Sequence, residues 1–79
     1  MKIRLSTISD VNNFVTSCSN YYEGEIDVKQ GRQIIDGKSI LGIYSLNLMK
    51  PLDVTIDTQN KNTEQNHYNF IKKWYTDEE

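Results

Sequence analysis

The sequence predicts a two-layer α+β domain built from four strands and three helices. Polar and apolar residues alternate at residues 2–6, 25–29 and 52–57, which is the period of a half-buried strand. Apolar residues recur at helical spacing in three other segments of the chain. The order is strand, helix, strand, strand, helix, strand, helix. It favours one antiparallel or mixed sheet that is covered on a single face by helices.

The first half of the chain contains one helix and a hairpin. After the strand at residues 2–6, Ser9 or Asp10 is expected to cap a helix. The apolar stripe of this helix is Val11, Phe14, Val15, Cys18 and Tyr22. A second strand follows at 25–29, and a third at 33–35 pairs back on it. Gly31 is expected to take positive φ in the turn between them.

The second helix is predicted over residues 39–46, with Ser39 as its N-cap. Its apolar stripe comprises Ile40, Leu41, Tyr44 and Leu48. Asn47 is expected to close the helix in the left-handed conformation, and Pro51 cannot continue it.

A fourth strand at residues 52–57 and a polar linker at 58–62 lead to the last helix. This helix is predicted over 63–75, with one face formed by His67, Phe70, Ile71 and Trp74. The acidic residues 77–79 lie at the unfavourable end of its dipole and are expected to fray.

Length and composition bound the class of protein. We expect 79 residues to form a single domain, residues 1–79. No apolar run approaches the ~18 residues of a membrane span, and no signal-peptide pattern opens the sequence. Cys18 is the single cysteine, which fits a reducing compartment. A net charge of -2 with mixed signs argues against nucleic-acid or anionic-membrane binding. We therefore expect a cytoplasmic protein.

The sequence GKSILG at residues 37–42, with Ser45, Leu46 and the strand at 52–57, resembles the regulatory-serine helix of the HPr family. HPr is the histidine-containing phosphocarrier protein of the bacterial sugar phosphotransferase system. The resemblance runs over residues 11–56. It implies an open-faced two-layer sandwich (βαββαβα), in which a four-stranded antiparallel sheet carries three helices on one face.

The chain departs from the family at the start of the first helix. Family members that carry phosphate use a histidine there. Residues 6–13 read STISDVNN, and the corresponding positions fall among Ile8, Ser9 and Asp10. We therefore expect neither phosphocarrier nor enzymatic activity. Asp10 as an acyl-phosphate acceptor, or His67 as a displaced phosphocarrier, are the alternatives. A helix-capping aspartate and a packing or surface histidine are the simpler interpretations.

The resemblance implies a regulatory role for Ser39. In many family members the serine at this position is phosphorylated by HPr kinase, and the product docks on a transcription regulator in catabolite repression. A phosphate here would meet free N–H groups and the positive end of a helix dipole. The resemblance also implies partner contacts by Lys38, Ile40, Leu41 and Tyr44, with the start of the first helix. Helical spacing instead places Leu41 in the core.

The functional hypothesis is a regulatory or binding module of the phosphotransferase system, with phosphorylation of Ser39 as its switch. A protein-interaction domain without phosphorylation is the alternative. One histidine and one cysteine, far apart in sequence, predict no metal site, and no cofactor is expected. The acidic residues Glu23, Glu25, Asp27 and Asp36 are expected on a solvated face. The aromatic residues expected mostly in the core are Tyr21, Tyr22, Tyr68, Trp74 and Tyr75.

Overall fold

The computed structural model describes residues 1–20 and 24–78. The expectations for Tyr21, Tyr22, Glu23 and Glu79 lie outside the described residues. The elements are β1 (Lys2–Ile3), α1 (Ile8–Ser19), β2 (Gly24–Gln30), β3 (Gln33–Asp36), α2 (Ile40–Tyr44), β4 (Leu52–Thr58) and α3 (Lys61–Ile71), followed by a 3₁₀ turn at Lys72–Trp74. The predicted element order and the α+β class are confirmed.

The four strands form one antiparallel sheet in the order β1-β4-β2-β3. In its centre, Ile26 lies opposite Ile56 and Val28 opposite Val54. All four side chains are buried. The alternate residues of β4 are exposed, as a strand with one covered face requires. The predicted antiparallel sheet with helices on one face is therefore confirmed.

The core lies between this sheet face and the helices. Phe14 of α1 is fully buried and meets the Trp74 ring edge-on, with centroids 6.1 Å apart. Burial raises the pKa of the Cys18 thiol to about 12, so at neutral pH this side chain is an un-ionised packing group. Of the aromatic residues expected in the core, Trp74 is buried and Tyr68 half-buried. Tyr75, by contrast, is 61% exposed.

The β2–β3 hairpin follows the prediction closely. Gln30 lies opposite Gln33, so the loop contains only Gly31 and Arg32. Gly31 has φ of 60°, as predicted, and no described residue other than glycine has positive φ. Positive φ at the first loop position alone is typical of a type II′ turn, which suits the twist of a two-residue hairpin.

The N-terminal boundary of α1 differs from the prediction. The N-cap is Thr7, not Ser9 or Asp10, and its Oγ1 accepts the Asp10 backbone N–H at 3.0 Å. The Asp10 carboxylate in turn accepts the Ser6 N–H at 3.3 Å. This exchange resembles a capping box and satisfies two backbone donors at the helix start. The first strand is also shorter than predicted, since β1 comprises only Lys2–Ile3.

Two further boundaries were predicted wrongly. Asn47 does not close α2 in the left-handed conformation, because the helix already ends at Tyr44. Instead the Gln30 side chain binds the Asn47 main chain, accepting its N–H and donating to its carbonyl, each at 2.8 Å. The expected linker is shorter, since α3 begins at Lys61 with Asn60 as its N-cap.

The C-terminal segment pairs with β1 and does not fray at Glu78. Arg4 donates its backbone N–H to the Trp74 carbonyl at 2.9 Å, and Thr76 donates to the Lys2 carbonyl at 3.0 Å. The Arg4 guanidinium also contacts both carboxylate oxygens of Glu78 at 2.8 Å. This segment covers the outer edge of β1.

Replacing Gly42 with alanine should lower the stability of the domain. A Cβ at this position would lie 2.6 Å from Ile35 Cγ2 and 2.9 Å from Ser39 Oγ, so α2 and β3 would have to separate. We expect a loss of about 1–3 kcal/mol in the free energy of unfolding from overpacking, although alanine favours helix by about 1 kcal/mol. Urea denaturation measures this, with the exposed helical Asn12→Ala as control. A Gly42→Ala variant as stable as the parent would contradict the close contact.

Candidate functional site

Ser39 lies on the surface in a tight turn between β3 and α2. Its backbone N–H donates to the Asp36 carbonyl at 2.9 Å, and the Lys38 N–H donates to the Asp36 carboxylate at 2.9 Å. The Ser39 hydroxyl accepts the Gly42 N–H at 3.2 Å, which confirms the predicted N-cap. Ser39 and Lys38 are both exposed. The hydroxyl is therefore held in one place while it stays accessible to solvent.

The expectation that Leu41 packs in the core is wrong. Leu41 is 80% exposed, whereas Ile43 is completely buried. The predicted helix covered residues 39–46 and its apolar stripe was counted as far as Leu48, but α2 has only five residues. Over so short a helix one buried residue decides which side faces the core, and here that residue is Ile43. Leu41 therefore points away from the core, and Ile40 and Tyr44 are partly exposed at 38% and 41%.

Exposed apolar side chains lie at the groove between α2 and the start of α1. Ile8, Tyr44 and Met49 line this groove, and Leu41 lies three residues before Tyr44 on α2. We call Ile8, Leu41, Tyr44 and Met49 the α1–α2 patch; their exposures are 71%, 80%, 41% and 82%. The groove itself is lined by Arg4, Leu5, Ser6, Thr7, Ile8, Val11, Tyr44, Leu48 and Met49. Adjacent exposed apolar side chains of this kind are typical of a protein-contact surface.

The sequence-based contact surface named the start of the first helix without naming Ile8, and it did not include Met49. Met49 follows the second helix in a turn that begins at Asn47. A large apolar residue in the connection after a predicted helix, as at Met49, is the signal that could have identified it. The sequence-derived set of Lys38, Ile40, Leu41 and Tyr44 lies along one exposed segment, and the fold adds Ile8 from α1.

Asp10 has structural hydrogen bonds at the start of α1. A hydrogen bond from the Trp74 side chain is the main cause that lowers the pKa of the Asp10 carboxyl, helped by the Ser6 and Thr7 donors and opposed by desolvation. The Trp74 side chain, close to the C-terminal segment, thus favours the charged form of this carboxyl. These bonds account for an aspartate at this position without any acyl-phosphate chemistry.

His67 lies in a different part of the molecule. It is buried on α3, and its Nε2 is 3.3 Å from Ser17 Oγ in the second half of α1. The nine-residue separation between Ile8 and Ser17 corresponds to about 13 Å along a helix. Desolvation lowers the pKa of the His67 imidazole. Its burial agrees with the interpretation of His67 as a packing residue.

Two general features of the described residues bear on function. Among residues 1–20 and 24–78, no three His, Cys, Asp or Glu side chains come together as a metal ion would need. Within the same ranges, every helix is too short or too polar to cross a bilayer.

A solved structure resembles this fold over its whole length. The crystal structure of HPr-C-His from Thermoanaerobacter tengcongensis superimposes with a TM-score of 0.71 and 17% sequence identity. The alignment covers 100% of this chain and 97% of that one. The chain has an HPr-like fold. No protein-family model matches the sequence, and no curated protein matches it either. The HPr-like architecture implied by the sequence resemblance is therefore confirmed at the level of the fold.

Replacing Ser39 with alanine should destabilise the domain by about 1 kcal/mol, because the Gly42 N–H loses its capping acceptor. Ser39→Asp should stay near parental stability, since aspartate is an equally good N-cap. Urea denaturation of both variants checks this. Equal stability of the alanine and parent proteins would show that the hydroxyl contributes nothing as a cap.

The burial of His67 should make stability depend on pH. The folded pKa lies below the ordinary value of 6.5, so the unfolded chain binds the proton more readily between the two values. Stability should therefore be full above about pH 6.5 and decline as the pH falls below it. Urea denaturation between about pH 5 and pH 7 measures this slope.

His67→Gln is the matched variant for that experiment and should reduce the slope in this window. Asp10 affects stability in a separate, more acidic pH range, because the pKa of its carboxyl lies below 3.8 in the folded protein. Identical slopes for the parent and the His67→Gln variant would contradict the assignment.

Proposed function

We propose that this protein is a regulatory or binding module on the HPr-like fold that does not carry phosphate on a histidine. It binds another protein through the α1–α2 patch. Phosphorylation of Ser39 switches this contact. The family resemblance suggests HPr kinase and a transcription regulator of the phosphotransferase system as partners.

The α1–α2 patch is the observation that carries the proposal. Its four side chains come from α1, α2 and the turn after α2, and all are at least 41% exposed. In a 79-residue domain with a small core, leaving these groups in water forgoes stabilisation worth about 25 cal/mol for each Å². A partner that covers them would recover this free energy.

The surroundings of Ser39 support a switch based on surface charge. The side chain is exposed and lies in the turn that leads into α2, next to Lys38. A phosphate would add a charge of about -1.5 to -2 there. Because α2 has five residues, its dipole is small, and the phosphate would change stability little. Its main effect would be on a partner that contacts Leu41 and Tyr44.

Incubation with an HPr kinase and ATP should add one phosphate, detected by intact-mass spectrometry. Ser39→Ala should abolish the added mass, because it removes the accepting hydroxyl. A known HPr, labelled in the same reaction, shows that the kinase is active. No added mass on this protein, with the known HPr labelled, would remove the phosphorylation part of the proposal.

Two variants test whether the α1–α2 patch is the contact surface. Leu41→Asp places a charge within the patch, whereas Ile34→Asp makes the same change on β3, where Ile34 is 63% exposed. The rate of phosphorylation should fall at least tenfold for Leu41→Asp and stay near the parental rate for Ile34→Asp. Equal effects of the two changes would contradict docking through the patch.

The cap geometry favours a second candidate, an interaction domain without phosphorylation. Ser39 already has a structural role through its bond to Gly42, which accounts for a serine at this position. In that case the kinase leaves the mass unchanged, while Leu41→Asp still weakens binding to the partner. A phosphocarrier using Asp10 or His67 would instead gain a labile phosphate from phosphoenolpyruvate and the general phosphotransferase enzyme. We expect no such labelling.

A further inference from the structure

The two edges of the sheet differ. The outer edge of β1 is covered by the chain's own C-terminal segment, through the bonds of Arg4 to Trp74 and of Thr76 to Lys2. The outer edge of β3 has no strand beside it among the described residues. Unpaired strand edges of this kind are templates for pairing with another chain.

The backbone N–H and C=O of Ile34 point towards the open edge of β3, as the hydrogen-bond pattern of the hairpin shows. Gly37 donates its N–H to the Ile26 carbonyl at 2.8 Å. Facing residues on two antiparallel strands alternate between hydrogen-bonded and non-hydrogen-bonded pairs. The backbone groups of Ile35 and Gln33 therefore also face β2. The N–H and C=O of Ile34 therefore point outward, and its side chain is 63% exposed.

We propose that a second copy of this chain pairs with the open edge of β3, antiparallel and centred on Ile34. In this register the two Ile34 residues exchange a pair of backbone hydrogen bonds. Their side chains contact each other on the open face, which is the face of the sheet that no helix covers. Antiparallel pairing then brings Arg32 of each copy, the loop residue that directly precedes β3, next to Asp36 of the other, because each is two positions from Ile34. The segment 32–36 is thus complementary to itself in charge.

The charges on the open face favour this register over its neighbours. Asp36 lies directly opposite Asp27 of the same chain, and like charges in facing positions are destabilising. Arg32 of the second copy would sit on the other side of Asp36 and offset that repulsion. A register shifted by two residues would place Ile34 against Asp36 and leave Arg32 without its carboxylate.

The interface is small, and this sets the strength expected of the dimer. Only the short segment 32–36 of each copy takes part. The buried area falls well below the ~1,200 Å² of a stable complex, so only weak association is expected. The protein should be monomeric when dilute and partly dimeric near millimolar concentration.

Sedimentation velocity at about 20 µM and about 1 mM tests the proposal, since the dimer fraction must rise with concentration. We expect a shift towards the dimer for the parent protein and its loss in Ile34→Lys. The matched control, Thr55→Lys, adds the same charge on the central strand and should still dimerise. A parent protein that is monomeric at about 1 mM, or an Ile34→Lys variant that dimerises as the parent does, would overturn the proposal.

A mixing experiment tests the register itself. Arg32→Glu alone and Asp36→Lys alone each place like charges opposite one another, and we expect association at least tenfold weaker. In an equal mixture the introduced glutamate of one variant meets the introduced lysine of the other, while the native Arg32–Asp36 pair remains at the second site. The mixture should therefore dimerise more strongly than either variant alone. Urea denaturation confirms that each variant is folded, and a mixture as weak as its components would overturn the register.

Discussion

The close approach of α2 to the sheet is the constraint on which the candidate site depends. A position without a side chain allows it. A Cβ at Gly42 of α2 would lie 2.6 Å from Ile35 Cγ2 of β3. This proximity lets Ile43 enter the core completely. With Ile43 inside, Leu41 must lie outside, so the exposed patch is a geometric consequence of how α2 packs.

Local patterns in the sequence were sufficient wherever burial follows a regular period. In β4 the alternation of apolar and polar residues predicted a strand with one covered face, and the structure has it from Leu52 to Thr58. Gly31 and Ser39 were also predictable, because a two-residue hairpin and a helix start each need one kind of residue. Such features depend on residues that are close together in the sequence. They can therefore be predicted without knowledge of the rest of the fold.

The errors have a common cause in contacts between distant parts of the chain. Residues 6–10 contain four possible capping residues, and the local sequence does not distinguish Thr7 from the other three. The Trp74 side chain, distant in sequence, acts on this segment by lowering the pKa of the Asp10 carboxyl. The position of Glu78 likewise depends on Arg4 at the other end of the chain. For Leu41, the missing information was the length of α2. A helix of five residues is too short for an apolar stripe to show which residues face the core.

The start of α1 combines polar side chains that bond to the backbone with exposed apolar ones. Thr7 caps the helix, and the Asp10 carboxylate accepts the Ser6 N–H. The apolar side chains beside them, Ile8 and Met49, are exposed. Transfer of phosphate needs a nucleophile with a free lone pair and donors to receive the anion. Association with a protein needs apolar area that is not yet covered. The side chains at this surface meet the second requirement.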